Sequence, residues 1–282
     1  MLFLFLSASV AAVATVGIFL TLVLNGLDFF REVSIWEFLF GTTWAPDFFP
    51  RQFGSVPLLK GTFLIGIGAS LIGVPIGIGT AIYLSEFAHD RVRRVVKPAI
   101  ELLAGIPSII FGIVAIFVIS PLLQDWFGAP VFNAANATIM LGVMVIPIIT
   151  TLAEDALRAV PREIREGSYA LGATKWETTW RSVVPSASSG ITAATLLGFS
   201  RAIGETMVVT LAAGLVPTMS VSFLEPTQTI TAFIANRAAG DLPTGSVEYL
   251  SIFAVGTVLF LITFVINVIA QYVLARQRRR FG

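Results

Sequence analysis

The sequence contains no cysteine and a single histidine, His89. Without cysteine there are no disulfides and no thiolate metal sites, although this says little about compartment when most of a chain lies in lipid. One histidine, set in a loop among Arg91, Arg93, Arg94 and Lys97, makes neither a zinc site nor a relay by itself and reads as a solvated side chain. With no His-Glu-x-x-His motif and no partner for a serine or cysteine nucleophile, an intramembrane hydrolase is a poor reading. Charge is also scarce, at 12% of the 282 residues, and 18 Lys and Arg nearly balance 17 Asp and Glu. A net charge of +1 gives no electrostatic reason to bind nucleic acid. No Gly-x-x-x-x-Gly-Lys-Ser/Thr segment occurs, so the chain carries no recognisable nucleotide site of its own.

What is abundant is apolar surface. The chain is 56% hydrophobic with mean hydropathy +0.87, and a water-soluble domain of this size could not cover that surface. The bilayer is therefore the expected solvent. A spanning helix needs about 20 mostly apolar residues, and six windows qualify: 2–24, 61–84, 99–121, 136–153, 187–215 and 248–273. The fold class is all-α and polytopic, with six transmembrane helices in a single domain over 1–282. The first window lacks the basic leader of a cleavable signal and is long for one, so it reads as a retained span.

Charge sets an expected orientation. Arg91, Arg93, Arg94 and Lys97 lie between spans two and three, Arg158, Arg162, Arg165, Lys175 and Arg181 between four and five, and Arg276, Arg278, Arg279 and Arg280 in the tail. The alternate loops hold only Arg31, Arg51, Lys60 and Arg237, so thirteen against four predicts that both termini are cytoplasmic. The first outer loop, with Phe29, Phe30, Trp36, Phe38, Phe40, Trp44, Phe48 and Phe49, reads as an interfacial anchor. Span two, with Gly66, Gly68, Gly73, Gly77 and Gly79, is suited to close helix packing. Pro107 should kink span three, as a site facing the pathway would, with Ser108 re-satisfying a freed carbonyl; Glu101 should stay at the interface.

The cytoplasmic loop 154–185 is the most informative stretch outside the spans. Pro161 suits a first helical residue, Glu163 and Glu166 favour the helix start, and Gly172 suits its stop. Thr174 followed by Glu177 has capping-box spacing, predicting a second short helix that runs toward Pro185. Two short helices joined at Gly172 should lie across the membrane face.

These residues carry a resemblance. Glu166-Gly167-Ser168, then Gly172, then Val184-Pro185 resembles the Glu-Ala-Ala…Gly…Leu-Pro coupling loop of ABC importer permeases. Gly167-Ser168 stand where the family has Ala-Ala, and Val184 where it has Leu; the spacing is kept. Arg201-Ala202-Ile203-Gly204-Glu205 is similar to the Arg-Ala-Leu-Gly-Glu segment of oxyanion permeases. Four further segments resemble the phosphate-specific ABC importers: Thr206-Met207, Gly105-Ile106-Pro107-Ser108 with Phe111-Gly112, Ala156-Leu157-Arg158-Ala159-Val160-Pro161, and Ile234-Ala235-Asn236. Among the two permease subunits of those importers, they match the C-type.

The resemblance covers nearly the whole chain and implies a type I ABC importer permease fold in the cell (inner) membrane. It implies that Glu166, Gly172, Thr174 and Pro185 couple to a separate ATPase, and that ATP and Mg are bound there, with no cofactor in this chain. The implied partners are a homologous second permease, two cytoplasmic ATPase subunits and an extracytoplasmic phosphate-binding protein. The chain would be a transport subunit without catalytic residues or a metal.

Arg201 and Glu205 are the expected substrate-pathway residues, with Thr206 beside them. Arg201 lies about 24 Å along the helix from Pro185, at 1.5 Å per residue, deep in an apolar core of about 30 Å. A lone arginine there costs at least about 2.5 to 3.5 kcal/mol, so it needs a partner or water. Glu205, four residues on, should share its helical face. A self-neutralising structural pair is the plain alternative, but such pairs add little stability. A guanidinium fork matches oxyanion oxygens, and a carboxylate can accept from the hydroxyl that phosphate retains and fully deprotonated sulfate lacks. Two other readings remain: a permease for sulfate, molybdate or tungstate, and a gradient-driven transporter, which would have no use for the 166–185 loop.

Overall fold

In the computed structural model, which describes residues 1–281 and the side chains of all except Leu2, Leu274 and 276–281, each long apolar run becomes a helix. Arg276, Arg278, Arg279 and Arg280, counted above for orientation, fall outside the described side chains. The first run forms α1, Leu2–Phe29. The residues after it fold into a cap of α2, Ile35–Phe40, and a short antiparallel ribbon of β1, Trp44–Ala45, and β2, Gln52–Phe53. Here the sequence expectation needs correcting. Phe29, Phe38 and Trp44 are not an interfacial belt but the buried core of this cap, joined by Phe53 and Phe233. Trp44 meets Phe233 edge-on at 4.9 Å. Of the eight rings in the expected belt, Trp36, Phe40, Phe48 and Phe49 remain exposed.

The second run forms α3, Val56–Ile82, which continues through a π-helical turn, Tyr83–Phe87. At 32 residues the combined helix is about 48 Å long, more than the apolar layer requires, so it must tilt or extend beyond that layer. A short connection leads to α4, Asp90–Ala104, capped by His89, whose Nδ1 accepts from the Arg91 N–H at 3.4 Å. Next come α5, Ser108–Val114, a π-helical turn, Ala115–Ile119, and α6, Ser120–Phe127, ended by Gly128 at φ +65°. This corrects the window 99–121, which straddles two helices. The third span is 108–127, and residues 99–104 finish a separate amphipathic helix. Pro107 is the cap residue between them, with extended backbone at φ −56°, ψ 134°, and Ser108 opens α5; there is a joint rather than a kink.

The helix α7, Ala134–Arg158, starts where the Asn133 side chain accepts from the Asn136 N–H at 2.9 Å. It packs along α3 through glycine. A methyl added at Gly73 would strike Val145 and the Gly142 carbonyl, one at Gly77 would come within 2.8 Å of Ile149, and one at Gly142 within 2.9 Å of Ile72. This close approach is the packing the sequence predicted.

The loop after α7 folds as α8, Arg162–Ala170, α9, Lys175–Thr178, a π-helical turn, Thr179–Val183, and α10, Val184–Ser186. At Ala187 the chain bends by 70° into α11, Ser188–Ile203. The predicted continuous span 187–215 is broken. Residues 204–206 leave the helix and a short α12, Met207–Ala212, follows. A segment of loops and turns leads to α13, Ile230–Ala238, and the last described helix is α14, Val247–Phe281. That last helix pairs with α1, where Thr257 Oγ1 donates to the Leu22 carbonyl at 3.1 Å. Among the described residues, five helices are long and apolar enough to cross a membrane, and the bent pair around Ala187 makes a sixth.

Candidate functional site

Two regions hold most of the residues singled out from sequence; Pro107 and Ser108 lie apart from both. The first is the elbow after α7. Pro161 caps α8 rather than opening it, a shift of one residue. Gly172 takes φ +82°, a conformation that closes α8 without a Cβ penalty. Thr174 and Glu177 form the reciprocal capping box: the Glu177 carboxylate accepts from the Thr174 N–H at 2.9 Å and its hydroxyl at 2.8 Å, while Thr174 Oγ1 accepts from the Glu177 N–H at 3.3 Å. Those two donors hold the Glu177 carboxyl below its usual range. Glu166 is exposed on α8, and Pro185 lies inside α10 just before the bend. Around the turn, Leu171 is 91% exposed, and Tyr169, Trp176 and Trp180 are also open. That concentration of bare rings and aliphatic surface on a polar loop marks a surface built to be covered.

Carboxylates absent from the sequence reading fasten this elbow to the spans. Glu86, at the end of α3, receives Arg165 Nη2 at 2.8 Å, and Arg165 also donates to the Leu157 and Val160 carbonyls at 2.9 and 2.7 Å, closing the end of α7. Glu154, 1% exposed, takes Arg93 Nη2 at 2.7 Å and Lys97 Nζ at 2.9 Å, with Arg158 at 3.8 Å. The bond to Glu154 raises the Lys97 pKa, outweighing the effect of burial. Thus α4 turns its basic side toward α7 and leaves Val95 and Leu102 exposed. Glu101 is exposed, as expected, and lines an open groove of about 540 Å³ with Asp90, Arg93, Arg94, Lys97 and Pro98. A partial signal existed: Glu154 is an acid near the end of an apolar run, and four bases cluster at 91–97, two spans earlier.

The second region is the break in the fifth span. Arg201 Nη1 donates to Glu205 Oε2 at 2.7 Å, so the predicted pair forms. Its geometry differs from expectation, because Glu205 lies beyond the end of α11 rather than on its face. Its other oxygen, Oε1, accepts from the Met207 and Val208 N–H groups at 3.0 and 3.4 Å, which caps α12. The glutamate is therefore 3% exposed with both oxygens engaged, while the arginine side chain is 43% exposed. Thr206, half-buried, sits at the start of α12, and its carbonyl accepts from the Thr210 N–H at 2.9 Å. Pro107 and Ser108 stand at the separate α4–α5 joint, and no described hydrogen bond ties them to Arg201.

The model of the family described as "Binding-protein-dependent transport system inner membrane component" matches residues 73–279, a segment that includes both regions. The chain belongs to this family. Within this transport-system family, the chain is 39% identical over 269 residues to the phosphate transport system permease protein PstC of Mesorhizobium japonicum, covering 87% of this chain and 80% of the relative. The protein of the same name from Xylella fastidiosa strain 9a5c is 35% identical over 302 residues, covering 99% and 91%. A chain of the bacterial alginate ABC transporter, solved in complex with an alginate pentasaccharide-bound periplasmic protein, superposes with TM-score 0.65 at 16% identity, over 99% of this chain and 96% of that one. The fold is that of a type I ABC importer permease, a multi-pass membrane protein.

Proposed function

We propose that this chain is a membrane-spanning permease subunit of an ATP-driven phosphate importer, with Arg201 as the group that meets the anion. The PstC relatives support the substrate, and the observation that carries the residue assignment is the asymmetry of the broken span. Glu205 is buried and used up, whereas Arg201 spends one nitrogen on it and keeps the rest of its fork toward open space. Glu205 then serves to hold and partly neutralise the guanidinium; the expected hydroxyl contact to phosphate would need Oε2 to be shared. Since α11 is 16 residues, about 24 Å, the break falls inside the apolar layer, where even a paired charge is costly and points to a function.

The importer would place both termini in the cytoplasm and pair this chain with a homologous permease. Two cytoplasmic ATPases would bind ATP and Mg and cover the Leu171 and Trp176 surface of the elbow, and an extracytoplasmic binding protein would deliver phosphate. Closure of the ATPases would push on α9 and α10 and reach α11 through the bend at Ala187. The test is ATP-dependent uptake of radiolabelled phosphate by proteoliposomes containing the whole complex, with sulfate and molybdate as competitors. Uptake should require ATP, ignore sulfate and fall at least about a hundredfold with Arg201→Gln. Normal uptake by the Arg201→Gln, Glu205→Gln pair would return both residues to a structural role, and uptake without ATPases would overturn the coupled mechanism.

A further inference from the structure

A helix broken inside an apolar layer must find partners for its freed backbone groups. At residues 204–206 the N–H side is met by the Glu205 carboxylate, as described above. The carbonyl side is met from elsewhere: Thr231 Oγ1 donates to the Glu205 carbonyl at 2.7 Å. Thr231 is 6% exposed and belongs to the first turn of α13, whose entry is capped by Thr229, which accepts from the Ala232 N–H at 3.1 Å. The two threonine hydroxyls are 3.0 Å apart.

This entry segment is itself fastened to the start of α3. The Ile230 N–H donates to Thr62 Oγ1 at 3.0 Å, and Lys60 Nζ donates to Thr227 Oγ1 at 3.2 Å. Gly61 presses so closely on the Gln228 backbone that no side chain fits there. Residues 227–231 therefore form a strap anchored on α3 and ending on the residue that holds Arg201.

We propose that Thr231 is a positioning residue for transport, fixing the Glu205 backbone so that its carboxylate keeps the Arg201 guanidinium aimed at the anion. This rests on the phosphate-importer reading. Beyond its own N–H, which donates to the Ala202 carbonyl at 3.3 Å, Glu205 is held at three points: Oε1 on the α12 N–H groups, Oε2 on Arg201, and its carbonyl on Thr231. Losing the third frees the 205–206 peptide plane to rotate and carries the carboxylate with it. Small displacements of a positioned charge cost large factors in rate. Through the same strap, movement of the outer segment is felt at the pair.

The experiment compares Thr231→Val, which keeps the shape and removes the hydroxyl, with Thr231→Ser, which keeps the hydroxyl, in the reconstituted complex with its binding protein. Maximal phosphate uptake should fall about tenfold or more with valine and recover to at least about half with serine, with assembly by size-exclusion chromatography unchanged in both. Wild-type uptake by Thr231→Val overturns the proposal, and so does a serine variant as poor as the valine one. If the valine variant does not assemble, Thr231→Ala takes its place with the same two outcomes. Arg201→Gln measured alongside separates the two ideas: normal uptake there sinks the substrate-site reading itself. A dead Arg201→Gln beside a normal Thr231→Val sinks only the role of the threonine.

Discussion

Replacing Glu154 by glutamine should loosen the seam between α4 and α7. The carboxylate is 1% exposed and lies within 3 Å of both Arg93 and Lys97. At an effective dielectric of about 20, one such contact is worth about 4 kcal/mol at 4 Å before desolvation is counted. Removing one partner of a fully buried pair costs about 3 to 5 kcal/mol. Here the cations are 25% and 26% exposed and can turn to water, and the amide oxygen of glutamine still accepts one bond. A net loss of about 2 to 3 kcal/mol follows, because the penalty of stranded charge is only partly felt. For a chain of this size that corresponds to a fall of about 3 to 5 °C in midpoint. The assay is thermal unfolding of the purified protein in mild detergent, followed by tryptophan emission. A shift under about 1 °C would refute the reasoning, as would an equal shift in an Arg93→Gln, Lys97→Gln background, where little should remain to lose. The pH dependence provides a second check. The Lys97 amine is raised above 10.5, chiefly by its bond to Glu154, so its contribution is full below 10.5 and fades as pH climbs through the raised value. The advantage of wild type over Glu154→Gln should therefore narrow on the alkaline side.

Two further outcomes are expected at the elbow. Gly172 has φ +82° and open space around it, so Gly172→Val meets no steric neighbour and suffers only the left-handed backbone penalty, about 1 to 2 kcal/mol. ATP-driven uptake should drop several-fold with valine and stay near wild type with Gly172→Asn, which tolerates that conformation; equal uptake by all three would show that the turn does not transmit force. Glu177, whose carboxyl is held low by the Thr174 N–H and hydroxyl, supports the start of α9 fully above pH 4.5 and ceases to as pH falls through its lowered value. Stability measured from pH 6 downward should lose part of its acid slope in Glu177→Gln, and an unchanged slope would count against the capping box.

Helix existence was legible wherever apolar length decided it, and helix breaks were not. The windows 2–24, 61–84, 136–153 and 248–273 each fall on one helix, because about 20 apolar residues in lipid have few alternatives. The windows 99–121 and 187–215 failed because hydropathy does not register where a chain turns. The absence of a side chain at Gly105 and Gly204 and the proline at 107 permit a break, but the partners that make it tolerable are not all local. Glu205 supplies its own cap, and Thr231 comes from 26 residues away. The capping box and the Gly172 turn were readable since both are local. The seat of Glu154 was only hinted at by the cluster of bases, since Arg93 is 61 residues away in sequence and meets it only when α4 packs on α7. Aromatic residues of the outer loop misled for a related reason: composition alone does not distinguish a ring that meets lipid from one that meets another ring.

The glycine seam between α3 and α7 has a mechanical consequence. Gly73, Gly77 and Gly142 leave no slack against their neighbours, and Gly198 of α11 brings that helix against the same Ile149, where an added methyl would come within 2.6 Å. Surfaces meshed this closely do not slide by small amounts, because every intermediate offset is a clash. These three helices therefore behave as one solid block. Whatever change of shape the protein undergoes is concentrated at the places where the backbone is already interrupted: Gly105–Pro107, Ala187 and Gly204–Thr206. A methyl group introduced into the block would act as a wedge driven into a beam, while the same group at a joint would act on the hinge pin.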